Sequence, residues 1–125
     1  MKQNKLTLSS LPHTWIFDID GTICIHNGYK NGGDILLKGV KDFFNKIPEK
    51  DFIIFITSRT EETKKETESF LSKSGIRYNL IIYNAPMGER ILINDNKPSG
   101  LKTAHALTLI RDSGINHILE IDEKL

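Results

Sequence analysis

Short apolar segments alternate with segments of helical periodicity along this chain, and that alternation restricts the fold more than any other feature. Residues 14–19 are largely apolar and 52–56 wholly so, as is typical of strands buried in a parallel sheet. Between them, the apolar residues of 36–47 recur at helical spacing, and Pro48 ends that helix. Strands joined by helices imply right-handed crossovers and a mostly parallel sheet.

The second half of the chain continues this pattern. The spacing predicts a polar helix over 61–74, ended by Gly75, and another helix over 102–112. Three further apolar runs predict strands over 80–83, 91–94 and 117–121. The expected fold is therefore α/β with a five-stranded, mostly parallel sheet. The length of 125 residues suits one domain spanning 1–125.

Charge and composition exclude some classes of binding partner and of cellular location. The formal net charge is +1, so neither a nucleic acid nor an anionic membrane is an expected partner. No apolar run has the length of a transmembrane helix, and residues 1–12 lack the apolar core of a signal peptide. A cytoplasmic protein is therefore expected. The single cysteine, Cys24, excludes an internal disulfide framework and lies in an apolar stretch typical of a core.

Two acidic residues follow the first predicted strand. Asp18 and Asp20 stand two positions apart, so an extended chain turns both to one side. Two ionised carboxylates this close repel each other unless a cation or a shared proton compensates. Oxygen donors at this density suit a hard cation such as Mg²⁺. Gly21 permits a sharp turn after them, and Thr22 offers a hydroxyl group.

Hydroxyl groups and an arginine follow the second strand, in Thr57, Ser58 and Arg59. Backbone N–H groups at a helix N-terminus bind anions, and the guanidinium fork of an arginine suits a phosphate or a substrate carboxylate. Ser58 with Glu61 also forms an ordinary capping box, and the two interpretations are compatible.

A third acid, Asp95, ends the fourth predicted strand. Alone it is a weak signal, because aspartate commonly begins a loop. Ligands of parallel sheets bind beyond the carboxyl ends of the strands, so Asp95 joins the acidic pair as a metal-ligand candidate.

These motifs resemble those of the haloacid dehalogenase superfamily of phosphotransferases. The resemblance rests on IFDIDGT at 16–22, FITSR at 55–59 and LIND at 92–95, in that order. It implies a three-layer Rossmann-like domain in which the first and fourth strands are neighbours.

The resemblance also implies a role for each motif residue. Asp18 would attack phosphorus and bind Mg²⁺, and Asp20 would protonate the leaving oxygen while its backbone carbonyl binds the metal. Thr57 would hold the phosphoryl group, and Asp95 would complete the metal shell beside Asp18. The neighbouring phosphate- and substrate-binding residues would be Gly21, Thr22, Ser58 and Arg59. Together these roles describe a phosphatase that forms an aspartyl-phosphate.

One cation of the superfamily pattern is missing. Its members place a lysine near the end of the third strand, and this chain has none there. Lys97, just beyond Asp95, is the predicted replacement, with Lys64 and Arg59 in reserve. Arg90 would begin the fourth strand, and four residues at ~3.3 Å each would put it at the wrong end of the sheet.

The spacing of the motifs leaves no room for a large cap domain. The Asn27-Gly28 pair predicts a hairpin, hence a small β-flap over about residues 22–34 that carries His26 and Tyr29. Such an open site can admit a large substrate, or a second subunit of a homo-oligomer can cover it. The resemblance makes a small phosphorylated substrate, with a phosphosugar first, the expected one.

Two other functions fit parts of the pattern. A catalytically silent module that binds phosphate ligands or a partner would account for the missing lysine. A receiver-like signalling domain also clusters acids, but receivers place the phosphorylated aspartate on a central strand well after the acidic pair. Here the pair lies on the first strand and precedes Gly21 and Thr22, which favours the phosphatase.

Overall fold

The protein is a mixed α/β structure with two parallel sheets, described by a computed structural model over residues 4–125. The five strands are Lys5–Leu8 (β1), Thr14–Phe17 (β2), Phe52–Ile56 (β3), Leu80–Ile82 (β4) and Ile118–Ile121 (β5). One sheet has the strand order β2-β3-β4, and β1 pairs with β5 in the other. The α/β class with parallel strands is confirmed, whereas the prediction of one five-stranded sheet is wrong.

The three-stranded sheet aligns the ends of its strands. Phe17 of β2 pairs with Phe55 of β3, and Phe55 pairs with Ile81 of β4. Asp18 and Thr57 therefore leave the sheet at the same edge, as the strand-end pattern predicts.

Two short helices connect these strands, Val40–Lys46 (α1) and Lys64–Lys73 (α2). α1 begins four residues later than expected because Gly39 precedes it with φ 79° and lies against the Ile115 carbonyl. A side chain there would collide with that carbonyl. α2 follows a 3₁₀ turn at Glu61–Thr63 that lacks a side-chain cap, so the predicted capping box of Ser58 and Glu61 is wrong.

The core lies on one face of the three-stranded sheet. Its aromatic part joins the sheet to α1, with Phe17 and Phe44 only 4.5 Å apart between ring centroids. Both helices lie on this face because both right-handed crossovers run in the same direction across the sheet. Ile16 and Phe52 are half-exposed, at 54% and 45%, so a matching layer does not cover the opposite side.

The region between β4 and β5, which the structure describes throughout, contributes no helix or strand that could cover that side. Among the described residues, neither 91–94 nor 102–112 has regular secondary structure, so the predicted strand and helix are wrong. Ile91 and Ile93 are 82% and 89% exposed and do not extend the sheet. β5 follows near its expected position, but pairs with β1, a short polar strand that its composition did not reveal.

The predicted flap forms a turn rather than a regular β-hairpin. Asn27 adopts the left-handed conformation (φ 57°) and opens a 3₁₀ turn at Gly28–Lys30. The chain before this turn meets the chain after it through an isolated antiparallel bridge between Cys24 and Leu36. The Cys24 side chain is fully buried, as the sequence predicted. We call residues 22–34 the flap below.

Candidate functional site

Asp18 stands immediately after β2, and its side chain is 36% exposed. The Thr22 hydroxyl donates to Asp18 Oδ2 over 3.3 Å, because Gly21, at φ 83°, turns the chain back toward the strand end. Residues of this loop are further fixed by the Ile19 carbonyl, which accepts from the Thr22 N–H at 3.2 Å. The loop therefore presents one accessible carboxylate at the strand end.

Arg90 is the cation that contacts this carboxylate. Its Nη1 lies 3.4 Å from Asp18 Oδ1, a long but direct ion pair between two side chains that are each about a third exposed. Lys97, predicted for this role, lies in an exposed turn closed by the Gly100 N–H on the Lys97 carbonyl. The sequence argument against Arg90 required a strand over 91–94, and without that strand Arg90 reaches Asp18.

Arg59 is buried and donates hydrogen bonds to neighbouring carboxylates. Its side chain has no exposed surface, and it holds Asp20 through two hydrogen bonds of 2.9 Å each. It also binds both oxygens of Asp34, at 2.7 and 3.0 Å, and the Thr67 hydroxyl at 3.0 Å. In this structure Arg59 therefore orients Asp20, whereas the sequence assigned it to phosphate.

The protonation states of this cluster follow from burial and charge. Burial lowers the pKa of Arg59, but its hydrogen bonds with Asp20 and Asp34 outweigh that effect and hold the pKa above its ordinary value. Burial, reinforced by the negative charge of Asp34, raises the pKa of the Cys24 thiol to about 12. The cluster thus contains a permanent cation and a neutral thiol.

The tyrosine of the flap covers the buried guanidinium. The centroid of the Tyr29 ring lies 4.1 Å from Arg59 Cζ, within the range of a cation–π contact. His26, the other flap residue singled out in the sequence, is held by its backbone N–H, which donates to Asp112 Oδ1 at 2.7 Å. No local signal in the sequence pointed to Asp34, which follows two glycines at the end of a polar stretch.

Thr57 and Ser58 lie beyond β3 at the same edge as Asp18. Thr57 is 1% exposed, and its Oγ1 accepts the Arg59 backbone N–H at 3.0 Å. The Thr57 carbonyl accepts from the Ala85 N–H at 2.9 Å, which fastens the loop after β3 to the segment after β4. Ser58 is half-buried in this loop.

Several of these side chains are of types that could also bind a metal ion. Among the described residues, one group of three metal-capable side chains lies together, and it comprises Asp20, Cys24 and Asp34. The Arg59 guanidinium contacts all three members, so this group is an ion-pair cluster.

The predicted Mg²⁺ ligands are oxygen donors, but within the described residues the structure does not bring Asp18, Asp20 and Asp95 together as one group. The Asp18 carboxylate is accessible, and the Asp20 carboxylate is engaged by Arg59, which leaves the Asp20 backbone carbonyl as its donor. Asp95 is exposed, and its carbonyl accepts a hydrogen bond from the Thr103 hydroxyl. Because 91–94 does not form a strand beside β2, the expected placement of Asp95 next to Asp18 through neighbouring strands is wrong. Oxygen donors of this kind are those that Mg²⁺ prefers.

Comparison with known proteins finds a partial likeness to two solved structures. One is a chain in the structure of a Pnkp1/Rnl/Hen1 complex, with 28% identity, a TM-score of 0.51, and coverage of 66% of this chain. The other is a chain in the structure of the Pnkp1/Rnl/Hen1 RNA repair complex, with 27% identity, a TM-score of 0.51, and coverage of 72%. The matches span only 31% and 30% of those longer chains.

The other comparisons are negative. No protein-family model matches the sequence, and no curated protein matches it significantly. Within residues 4–125, neither helix has the length and apolar composition that crossing a bilayer requires.

Proposed function

We propose that this protein is a Mg²⁺-dependent phosphomonoester hydrolase of the haloacid dehalogenase type, with Asp18 as nucleophile. The observation that carries the proposal is the setting of Asp18: an accessible carboxylate at the carboxyl end of a parallel strand, between the Thr22 hydroxyl and the Arg90 guanidinium. Ligands of parallel sheets bind at this edge, and phosphoryl transfer depends mainly on positioning and charge neutralisation there.

The reaction takes place in two displacements. An Asp18 carboxylate oxygen attacks phosphorus, the ester P–O bond breaks, and its electron pair leaves with the substrate oxygen, which takes a proton from the Asp20 carboxyl group. Water then attacks the aspartyl-phosphate, the acyl P–O bond breaks, and Asp18 is released as carboxylate while Asp20 recovers the proton. Both Asp20 oxygens accept from Arg59 in this structure, so before the first displacement one of these contacts must be exchanged for a proton taken up from water.

The remaining residues stabilise charge around the phosphoryl group. Arg90 replaces the lysine of the superfamily and offsets the charge of Asp18 and of the phosphate. The loop after β3 supplies the Ser58 hydroxyl and the proton of the Thr57 hydroxyl, because the Thr57 N–H already donates to the Ile82 carbonyl. Asp18, the Asp20 carbonyl and Asp95 would hold Mg²⁺, which would supply positive charge between the nucleophile and the phosphate.

The first candidate substrate is a small phosphorylated metabolite such as a phosphosugar. The flap is short, and among the described residues no additional domain covers the strand end, so the site is open to small phosphomonoesters.

A second candidate substrate is the phosphate at the end of an RNA. The likeness to a chain of an RNA repair complex favours it, since a terminal phosphate is also a phosphomonoester. The near-zero net charge weighs against it, because nucleic-acid affinity depends on many basic contacts with the backbone.

Hydrolysis assays test the proposal and separate the two substrates. Aryl phosphate should be hydrolysed with Mg²⁺, and activity should be lost with a chelator and in Asp18→Asn. Sugar monophosphates and an RNA oligonucleotide with a terminal phosphate are then compared by kcat/KM, and the preferred class is the one with the higher value. Absence of turnover on every substrate would contradict the proposal and favour a silent binding module.

A further inference from the structure

Asp34 of the flap shares Arg59 with the proposed acid, Asp20. Arg59 Nη2 lies 2.9 Å from Asp20 Oδ1 and 2.7 Å from Asp34 Oδ1. The remaining donors complete a two-point contact on each side, Nε with Asp20 and Nη1 with Asp34. The guanidinium therefore lies between two carboxylates, and the position of each one depends on the other.

The burial of the three side chains differs in a way that suits this arrangement. Arg59 is 0% exposed and Asp34 is 4% exposed, whereas Asp20 is 15% exposed. Asp34 is thus the fixed, internal partner, and Asp20 is the partner that reaches the surface of the site. Ionic hydrogen bonds are strong in such a poorly solvated setting. Because Arg59 pairs with both carboxylates, it orients Asp20 but binds it less tightly than it would if Asp20 were its only partner.

The flap supplies a second contact to the same group through Tyr29, whose ring lies over the guanidinium. Tyr29 lies inside, and Asp34 directly after, a loop that the Gly33 N–H closes by donating to the Gly28 carbonyl at 2.9 Å. The flap therefore contacts Arg59 through two residues. A change in the conformation of the flap would move Arg59, and with it Asp20.

We propose that Asp34 and Tyr29 are positioning residues, which act through Arg59 to orient the Asp20 carboxyl group toward the leaving oxygen of the substrate. This inference rests on the proposed function. The step that depends on it is the first displacement, in which the Asp20 O–H bond breaks as the ester P–O bond breaks and a new O–H bond forms on the leaving oxygen.

The experiment compares substrates that differ in their need for that proton. The aryl ester p-nitrophenyl phosphate has a stable leaving group and needs little protonation, whereas glycerol phosphate needs a proton on its alkoxide. In Asp34→Asn we expect kcat on glycerol phosphate to fall about tenfold or more, and kcat on the aryl ester by less than about threefold. Tyr29→Leu should change the ratio in the same direction by a smaller factor.

The matched control is Ile35→Ala, next to Asp34 but with a side chain that is 60% exposed and outside the cluster. It should leave the ratio of the two substrates unchanged. The inference would be overturned if Asp34→Asn and Tyr29→Leu left the ratio of kcat on the two substrates unchanged, whether or not both values of kcat fall. If Asp34→Asn does not fold, the ratio measured in Tyr29→Leu decides the question. This variant removes a ring contact but no ion pair, so we expect it to fold.

Failure of the inference and failure of the proposed function give different results. Wild-type turnover that requires Asp18 but shows an unchanged ratio in the variants overturns the positioning role alone. Wild-type protein without Asp18-dependent turnover on either substrate overturns the proposed function, and the positioning role with it.

Discussion

Arg90 Nη1 lies 3.4 Å from Asp18 Oδ1, so the cation beside the proposed nucleophile comes from the segment after β4. In the proposed mechanism this guanidinium would take the place of the superfamily lysine, and it can bind a phosphate at two points. The proposal would thereby give a role to a segment that lacks regular secondary structure.

Replacing Arg90 tests this assignment. Arg90→Gln should lower kcat/KM on an aryl phosphate by about a hundredfold, the usual cost of losing one group that stabilises developing charge. Arg90→Lys should recover part of the loss. Steady-state kinetics measures both, with Lys97→Gln as the control expected to remain near wild-type. A large loss in Lys97→Gln with none in Arg90→Gln would reverse the assignment.

The buried cation should contribute strongly to stability. Arg59→Met leaves the carboxylate of Asp34 buried without its partner, which should lower the free energy of unfolding by about 3–5 kcal/mol. Urea denaturation followed by circular dichroism measures the change. Lys46→Met, on the exposed surface of α1, should alter the same quantity by less than about 0.5 kcal/mol. Equal effects of the two substitutions would contradict a structural role for Arg59.

Asp51 at the opposite edge of the sheet should make stability depend on acid pH. Its side chain has no exposed surface and accepts from the Trp15 indole at 2.9 Å and from His13 Nδ1 at 2.7 Å. Burial acts to raise the pKa of Asp51, but these hydrogen bonds hold it below the ordinary value of 3.8. Because the pKa of Asp51 is lower in the folded than in the unfolded protein, ionised Asp51 stabilises the fold at pH values above 3.8. This contribution is lost as the pH falls through the folded-state pKa.

The expected result follows from that sign. Asp51→Asn should be less stable than wild-type at pH 7 by about 1–3 kcal/mol. The difference should shrink as the pH is lowered below the ordinary carboxyl pKa of 3.8. Urea titrations at several pH values measure it, with Asp42→Asn, an exposed carboxylate on α1, as control. A difference that stays constant down to the lowest pH would contradict the linkage.

The thiol of Cys24 should be chemically inert in the folded protein. Burial raises its pKa to about 12, so almost no thiolate forms at neutral pH. A disulfide reagent should react slowly with native protein and rapidly after unfolding in urea. Rapid reaction of the native protein would mean that the region around Cys24 opens to solvent.

The sequence predicted the strand ends because those signals are local. The apolar runs before Asp18 and Thr57 define β2 and β3, and parallel pairing brings both residues to one edge. The turn at Asn27 was equally local, since that residue adopts the left-handed conformation its type tolerates.

The features that the sequence did not predict depend on contacts between distant segments. Arg59 resembled a phosphate ligand because its neighbours are hydroxyl residues, and nothing local indicated that Asp34 would bind it. Arg90 was placed at the wrong edge because 91–94 has the composition of a strand, although its isoleucines remain exposed. The pairing of β1 with β5 joins the two ends of the described chain, which no local pattern indicates.

The central claim, that Asp18 is the nucleophile, is tested most directly by trapping its phosphorylated form. Wild-type protein is mixed with Mg²⁺ and an aryl phosphate, quenched in acid within one turnover, digested and analysed by mass spectrometry. We predict one phosphoryl group on the peptide containing Asp18, absent from Asp18→Asn and from samples treated with a chelator. Turnover without phosphate on that peptide, or phosphate that persists on the Asp18→Asn peptide, would contradict the account.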